Sequence, residues 1–437
     1  MTRDLWLKAQ SSWLIIMNNT IIIGAGAAGL AAGQRLRQLG HDVLILEAQG
    51  RIGGRVLTDY ENGALELGAE FVHGEKAMTW DVMRDNGQPL QTQDYVEVGQ
   101  NAHRRIYALN GQLVAGDSPF ANEAETWKDS IDVQAHNDEL DVTSVADWFG
   151  QRAPAGNVTA KMAQDRISRY EAANASRLSV SALRHEHQQN SAGSRNFRII
   201  SGYDRVIQAL SQGLTIRLNT PVCRVSWRDG SAEVVTADGQ HLRARHVVLT
   251  IPLSLLQSGF IQFDPPLPVA KRQAIHALDM GHGYKLALRF RQAFWPNIDF
   301  LSTLDTVQTW WPLAHAPMPT LMSFTAGPAA LWLSALGEAG AIQQALTELT
   351  AMFGTVVREQ FVNALVKDWS LDPWARGAYT YTPIGAANAR EVLAQPVGPL
   401  HFAGEATLSN GHHATVHGAI ESGFRAAKEV AKLQVAK

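Results

Sequence analysis

Cysteine is almost absent from this chain of 437 residues, with Cys223 the only one. A single thiol excludes an intrachain disulfide, a CxxC redox pair and a zinc ribbon, and is compatible with a reducing compartment. Charge is scarce too, at 18% of residues against roughly 25% in an average soluble protein. The 38 basic and 41 acidic residues leave a net charge of −3 and form no basic run. Neither a nucleic acid nor an anionic membrane therefore has an electrostatic footprint here. No segment reaches the roughly 18 consecutive apolar residues of a membrane helix. The most apolar stretch, Ile21 to Gly33, is short and studded with glycine.

What the chain does hold is apolar material, 46% of residues, enough for large cores and too much for a disordered protein. At roughly 150 residues per domain the length fits two large units or three smaller ones. Residues 1–16 contain a short apolar patch without the length or small-residue cleavage site of a signal peptide. They read as a disordered or loosely packed leader, with Met17 an alternative start just before the first strand. A cytoplasmic location is the default expectation, and nothing in the sequence sets an oligomeric state.

The opening pattern is strand, turn, helix, strand. Thr20–Ile23 is a β-branched run suited to a strand buried on both faces. A helix is expected from about Ala28 to Leu39, stopped by Gly40. Asp42–Glu47 is a second buried strand, which completes a parallel βαβ unit. From about Ala77 to Arg195 the chain reads as polar, alanine-rich helices with few strand signals. Strands return at Thr215–Leu218, Val222–Trp227, Glu233–Thr236 and His246–Ile251. Beyond Asp264 the pattern is mixed, with a helix near Ala341–Phe353, and a closing helix is expected over Val416–Lys432. This alternation implies one domain made of three separated pieces and another inserted twice.

Gly24-Ala25-Gly26-Ala27-Ala28-Gly29 sits between the first strand and helix, where a dinucleotide-binding fingerprint belongs. Gly24 permits the tight turn and Gly26 lets a pyrophosphate approach the backbone. Gly29 allows close helix–strand packing, and the helix N-terminus offers free N–H groups. Glu47 ends the second strand 23 residues after Gly24, where its carboxylate can accept ribose hydroxyls. Just beyond it, Arg51 and Arg55 flank Gly53 and Gly54, reading as a second phosphate clamp around a chain bend. His412, His413 and His417 invite a metal reading, but no HExxH spacing or third ligand accompanies them, and no metal is expected.

With these motifs on the page, the sequence resembles the flavin-dependent amine oxidases, most closely the polyamine oxidase branch. The resemblance runs through IIIGAGAAGL, EAQGRIGGR, ELGAEFVHG (66–74), FRIISGYDRVIQAL (197–210), PVCRVSW (221–227) and VVLTIPLSLL (247–256). It continues through GYKLALRF (283–290), DPWARGAYTY (372–381) and LHFAGEATLSNGHHATVHGAIESGFRAA (400–427). It implies an α/β, glutathione-reductase-like FAD-binding domain (17–76, 197–263 and 384–437). An α+β substrate-binding domain with a mixed sheet and helices (77–196 and 264–383) would roof the flavin.

The resemblance also assigns residues. The FAD set is Gly24, Ala25, Gly26, Ala28, Gly29, Glu47, Ala48, Arg51, Gly53, Gly54, Arg55, Gly68, Ala69, Glu70, Val222, Gly404, Glu405, Thr415 and Val416. Val416 would contact the N1–C2=O edge of the flavin through its main chain, at the positive end of the last helix. Lys285 would reach flavin N5 through a water and assist reoxidation by oxygen, although taken alone a lysine in such a strand more often reads as a solvated edge residue. Tyr379 matches the aromatic standing over the flavin beside the amine, with Trp369 near it. Ala378 stands where the monoamine oxidases carry the cysteine bonded to flavin, so FAD is expected to be non-covalent. Thr415 replaces the second tyrosine of an aromatic cage, which puts small monoamines in doubt. His73 matches a histidine or glutamate that touches the amine chain. Glu171 resembles a glutamate lining some polyamine tunnels, though from sequence a solvated helix face is the stronger reading.

The expected activity is oxidation of a di- or polyamine to an imine and aldehyde, with O2 reduced to H2O2. An amino-acid oxidase would need an arginine to clamp a substrate carboxylate, and the landmarks offer none. A non-catalytic relative such as the GDP-dissociation inhibitors would not need the intact nucleotide residues. The helical insertion and chromatin modules of the related histone demethylases are missing, which argues against a nucleosomal role.

Overall fold

The computed structural model describes residues 17–435 apart from 62, 100, 110 and 135–141, so the expected leader lies outside the described residues. β1 (Met17–Ile23), α1 (Ala27–Gln38) and β2 (Val43–Leu46) form the expected parallel βαβ unit. Successive strand side chains point to opposite faces, and the isoleucines of β1 feed two separate cores. Ile22 joins a cluster with Leu30 and Leu36 of α1, while Ile21 and Ile23 join another with Val247 and Phe402. The run is apolar throughout because this strand is covered on both sides.

The sheet around β1 has eight strands in the order 215–217, β2, β1, 241–249, 231–236, 222–228 and 262–264, with 400–402 also paired to 241–249. One face is covered by α1, the helix Asp204–Ser211 and the closing helix Val416–Val435. The other carries Val269–Ala277 and Ala389–Ala394. Val269–Ala277 thus packs against this sheet and Met78–Asp85 against the helices Asp204–Ser211 and Val416–Val435 that cover it, although both fall in the segments assigned from sequence to the second domain.

The second large sheet has seven strands in the order 361–368, 283–290, 320–326, 309–312, 300–303, 105–109 and 112–115. The helix Pro328–Phe353 covers one face of it. This helix begins well before the expected Ala341 and is broken at Gly337, whose φ is +66°. A three-stranded sheet of 71–73, 196–199 and 95–98 stands apart from both large sheets. Three strands therefore lie within the stretch expected to be almost wholly helical: Tyr95–Val98, Arg105–Leu109 and Gln112–Ala115. The first two form because partners distant in sequence, Asn196–Ile199 and Phe300–Thr303, pair with them, and the third pairs with its neighbour Arg105–Leu109. The rest of the stretch is helical, with Val145–Arg152, Val158–Tyr170 and Val180–Gln189 around Trp148 and Phe149.

Candidate active site

The β1–α1 turn has the geometry its glycines suggest. Gly24 has φ +107°, a left-handed conformation that glycine adopts without steric cost. A Cβ on Gly29 would lie 2.0 Å from the Gly24 carbonyl oxygen, so glycine is required where helix meets strand. Gly26 is the N-cap of α1, and a Cβ built there meets no protein atom within 4 Å. Glu47 is buried, its Oε2 accepting from Ala25 N at 2.7 Å and its Oε1 from Gln49 N at 2.8 Å. Burial pushes its pKa up, against the pull of those amides. Each oxygen keeps a further lone pair, since a carboxylate offers about four acceptor sites.

The two arginines beyond it serve different ends. The Arg51 guanidinium donates to the carbonyls of Ile52, Val56 and Gly54, at 2.7 Å for the last. These contacts brace its own turn. Arg55 reaches across the molecule to the Ala378 carbonyl at 2.7 Å and the Glu405 carboxylate at 3.0 Å. Glu405 is buried and also takes the Thr380 hydroxyl at 2.7 Å.

Lys285 lies on Gly283–Phe290, an interior strand flanked by 320–326 and 361–368. It is 4% exposed, which overturns the solvated-edge reading. Its ammonium donates to Glu70 Oε2 at 2.6 Å and to the Glu66 carbonyl at 2.8 Å. Glu70 Oε1 accepts from Arg198 at 2.7 Å and from Trp311 Nε1 at 2.8 Å. Burial opposes ionisation of Glu70, but the Lys285 and Arg198 cations outweigh it and hold its pKa below the ordinary carboxyl value.

Tyr379 donates its hydroxyl to the Tyr170 carbonyl at 2.8 Å and stacks on Phe324 with centroids 6.4 Å apart. Trp369 is fixed by donation to the Leu67 carbonyl at 2.8 Å. His73 Nδ1 lies 2.6 Å from Asn196 Oδ1, and burial lowers its pKa. Glu171 is 7% exposed, contrary to the solvated-face reading. His413 Nε2 lies 3.6 Å from Glu171 Oε2 and 3.2 Å from Glu186 Oε2, and all three side chains are buried. The Thr415 hydroxyl donates to His412 O at 2.7 Å and accepts from Gly418 N at 3.0 Å. It is thereby committed to capping the closing helix. His412 pairs with Glu421 at 2.9 Å, and burial lowers the pKa of the neighbouring His417 to about 3.

A single cavity of 570 Å³ joins the β1–α1 turn to Lys285, Tyr379 and Glu171. Every site residue nominated from sequence lines it except Ala25, Gly29 and Arg51, which stand behind its wall. The sequence reading missed Tyr170, Glu186, Trp311, Phe324 and His413, which also line it. The doubled histidine at 412–413 was the one local signal; the others come together only through tertiary pairing.

Residues 27–431 match the family described as flavin containing amine oxidoreductase. The chain is 30% identical to polyamine oxidase 5 of Oryza sativa subsp. japonica over 433 residues, covering 94% of this chain and 87% of that protein. It is also 30% identical to the human lysine-specific histone demethylase 2, over 94% of this chain but only 53% of that protein. Among solved structures, wild-type putrescine oxidase bound to putrescine superposes with a TM-score of 0.82 at 24% identity, covering 95% of this chain and 99% of that one. Cyclohexylamine oxidase from Brevibacterium oxydans IH-35A gives 0.83 at 22% identity, over 96% and 100%. These likenesses establish the two-domain flavin-binding fold, and with the family match they imply a flavin cofactor. The chain belongs to the family of flavin-containing amine oxidoreductases.

Proposed function

We propose that this chain is an FAD-dependent oxidase of a di- or polyamine that holds its flavin without a covalent bond. The observation that carries this reading is the cavity itself. It is continuous from the β1–α1 turn to a far end where buried Glu171 and Glu186 stand beside Tyr379 and His73.

The residues at the β1–α1 end fit a flavin dinucleotide. Cβ atoms on Gly26 and Gly404 would meet no protein atom within 4 Å, so both leave open space for a close-lying ligand. The N-terminal amides of α1 suit a pyrophosphate, and Glu47 keeps lone pairs for ribose hydroxyls. Val416 begins the closing helix, whose N-terminal dipole favours negative charge beside it. Ala378 lines the cavity and has no thiol to form a thioether.

When bound, the flavin accepts two electrons from a substrate C–H bond and passes them to oxygen, giving hydrogen peroxide. The chain's own residues orient and desolvate. Tyr379, Phe324 and Trp369 supply an apolar aromatic wall, and the pKa of Tyr379 is raised by burial and the nearby Glu171, so it stays neutral. Glu171 and Glu186 can pair with a second cationic centre on a long amine, which a small monoamine lacks. The imine product hydrolyses to an aldehyde and an amine. Lys285 contributes a fixed cation next to the reaction space.

An amino-acid oxidase finds less support. Arg105, Arg166 and Arg169 line the cavity, but each is engaged with protein acceptors: Gly99, Glu125 with Tyr107, and Gln308 with Thr309, respectively. A peroxide-coupled screen of putrescine, spermidine, spermine, their acetyl forms, monoamines and amino acids tests the proposal. Turnover of the di- and polyamines above the others is expected. Peroxide formed only with monoamines or amino acids would overturn the substrate class.

A further inference from the structure

Lys285 is buried in the cavity wall, and burial disfavours the charged form of a lysine unless something compensates it. The compensation is a single buried side chain. Glu70 takes Lys285 on one oxygen at 2.6 Å and both Arg198 and Trp311 on the other, at 2.7 and 2.8 Å. The Lys285 ammonium has three donors. One goes to Glu70 and one to the Glu66 carbonyl, which leaves a single N–H for the cavity that Lys285 lines.

We infer that Glu70 is a positioning residue: its buried carboxylate keeps the Lys285 ammonium charged and fixes which N–H it presents to the cavity. This reassigns Glu70 from the cofactor-contact role expected from sequence. It rests on the flavin-oxidase reading for its consequence, a fixed cation beside the site where oxygen is reduced.

The surroundings leave Glu70 as the nearest counter-charge. Arg198 adds a second positive charge and is held by the same carboxylate. Glu66 is also close, but burial raises its pKa to about 8, so below that pH it is mostly neutral. Lys367, in register opposite Lys285 on the strand 361–368, has its own partner in Asp372 at 2.6 Å. Phe324 on the other flanking strand and Trp311 beside the ammonium carry no charge.

The test follows Lys285 by reductive methylation with formaldehyde and cyanoborohydride, which consumes only the neutral amine, read by peptide mass spectrometry from about pH 6 to about pH 10. Glu70→Gln keeps the size and an acceptor oxygen but removes the charge. Methylation of Lys285 should then set in at least about one pH unit below its onset in the wild type. Reoxidation by oxygen of the dithionite-reduced holoprotein should lose rate over the same shifted range, whereas Lys285→Met shows no such profile. Superimposable methylation curves for wild type and Glu70→Gln overturn the inference. If Glu70→Gln does not fold, Glu70→Asp carries the test, because it retains the charge. Lys285 protected as in the wild type supports the inference, and methylation at the lower pH overturns it. Neither readout uses an amine, so failure of the amine-oxidase reading is distinguishable from failure of this one.

Discussion

Glu47 ends β2 with both carboxylate oxygens already holding backbone amides, those of Ala25 and Gln49. Glu47→Ala removes the charged acceptor and also loosens the turn that carries Gly26. Hydrogen bonds to charged groups are worth about 1.5–3 kcal/mol, so flavin affinity should fall roughly ten- to hundredfold, measured by fluorescence titration of the apoprotein. An unchanged dissociation constant would put the ribose acceptor elsewhere. Lys285 permits a sharper division between two half-reactions. Lys285→Met removes a fixed cation from a place where oxygen reduction develops negative charge. Reoxidation should slow by about 10- to 1,000-fold, roughly 1.4–4 kcal/mol of barrier, and by more than anaerobic reduction by substrate does. Equal effects on both half-reactions would remove Lys285 from the oxygen step. Its position in GYKLALRF was legible in the sequence. That the strand is interior, and that Glu70, Arg198 and Trp311 meet there, was not, because those residues come from segments 128 to 241 positions apart.

In the β1–α1 element, two glycines of one motif separate fold from ligand. Gly29→Ala drives a Cβ to 2.0 Å from the Gly24 carbonyl oxygen, so the apoprotein itself should lose stability, with overpacking costing about 1–3 kcal/mol. Gly26→Ala meets no protein atom within 4 Å, and its φ of −79° suits any residue. Its apoprotein should melt like the wild type while flavin affinity drops, since the methyl fills space at the helix N-terminus. Thermal unfolding of the two apoproteins, paired with flavin titration, checks both halves. A Gly26→Ala apoprotein as destabilised as Gly29→Ala would mean that this glycine serves packing only. Elements with a strong local pattern, β1, α1, β2 and the closing helix, were legible from sequence. The strands 95–98, 105–109 and 112–115 were not. The last has only one residue that is not exposed, so it shows no buried face in its own sequence and is held by its neighbour 105–109.

For the molecule as a whole, denaturation in acid or organic solvent should release all flavin into the supernatant, since Ala378 offers no thiol; yellow colour left on the precipitated chain would contradict this. Stability should also carry a pH signature from Glu66, whose carboxyl is raised by burial from 4.5 to about 8. Between those values the folded state keeps a proton that the unfolded chain has lost. Its contribution is therefore full below about pH 4.5 and declines as pH rises toward 8, with a limiting slope of about 1.4 kcal/mol per unit. Glu66→Gln cannot ionise and should flatten that decline in thermal unfolding; a decline as steep as in the wild type would assign it to other groups. Sequence alone determined the dinucleotide turn, the acid ending β2, the family and a core set of the cavity-lining positions. The turn and the acid are written in short-range spacing, a turn, a helix N-terminus and a strand end within about 30 residues of one another, and the family and the remaining positions in ordered landmarks along the chain. Only the tertiary structure decided that Lys285 is buried and paired, that Arg51 braces its own turn, that Thr415 is spent on a helix cap, and that Glu171 meets Glu186 and His413. Burial and charge pairing depend on which distant segments pack together, and a local pattern does not encode that.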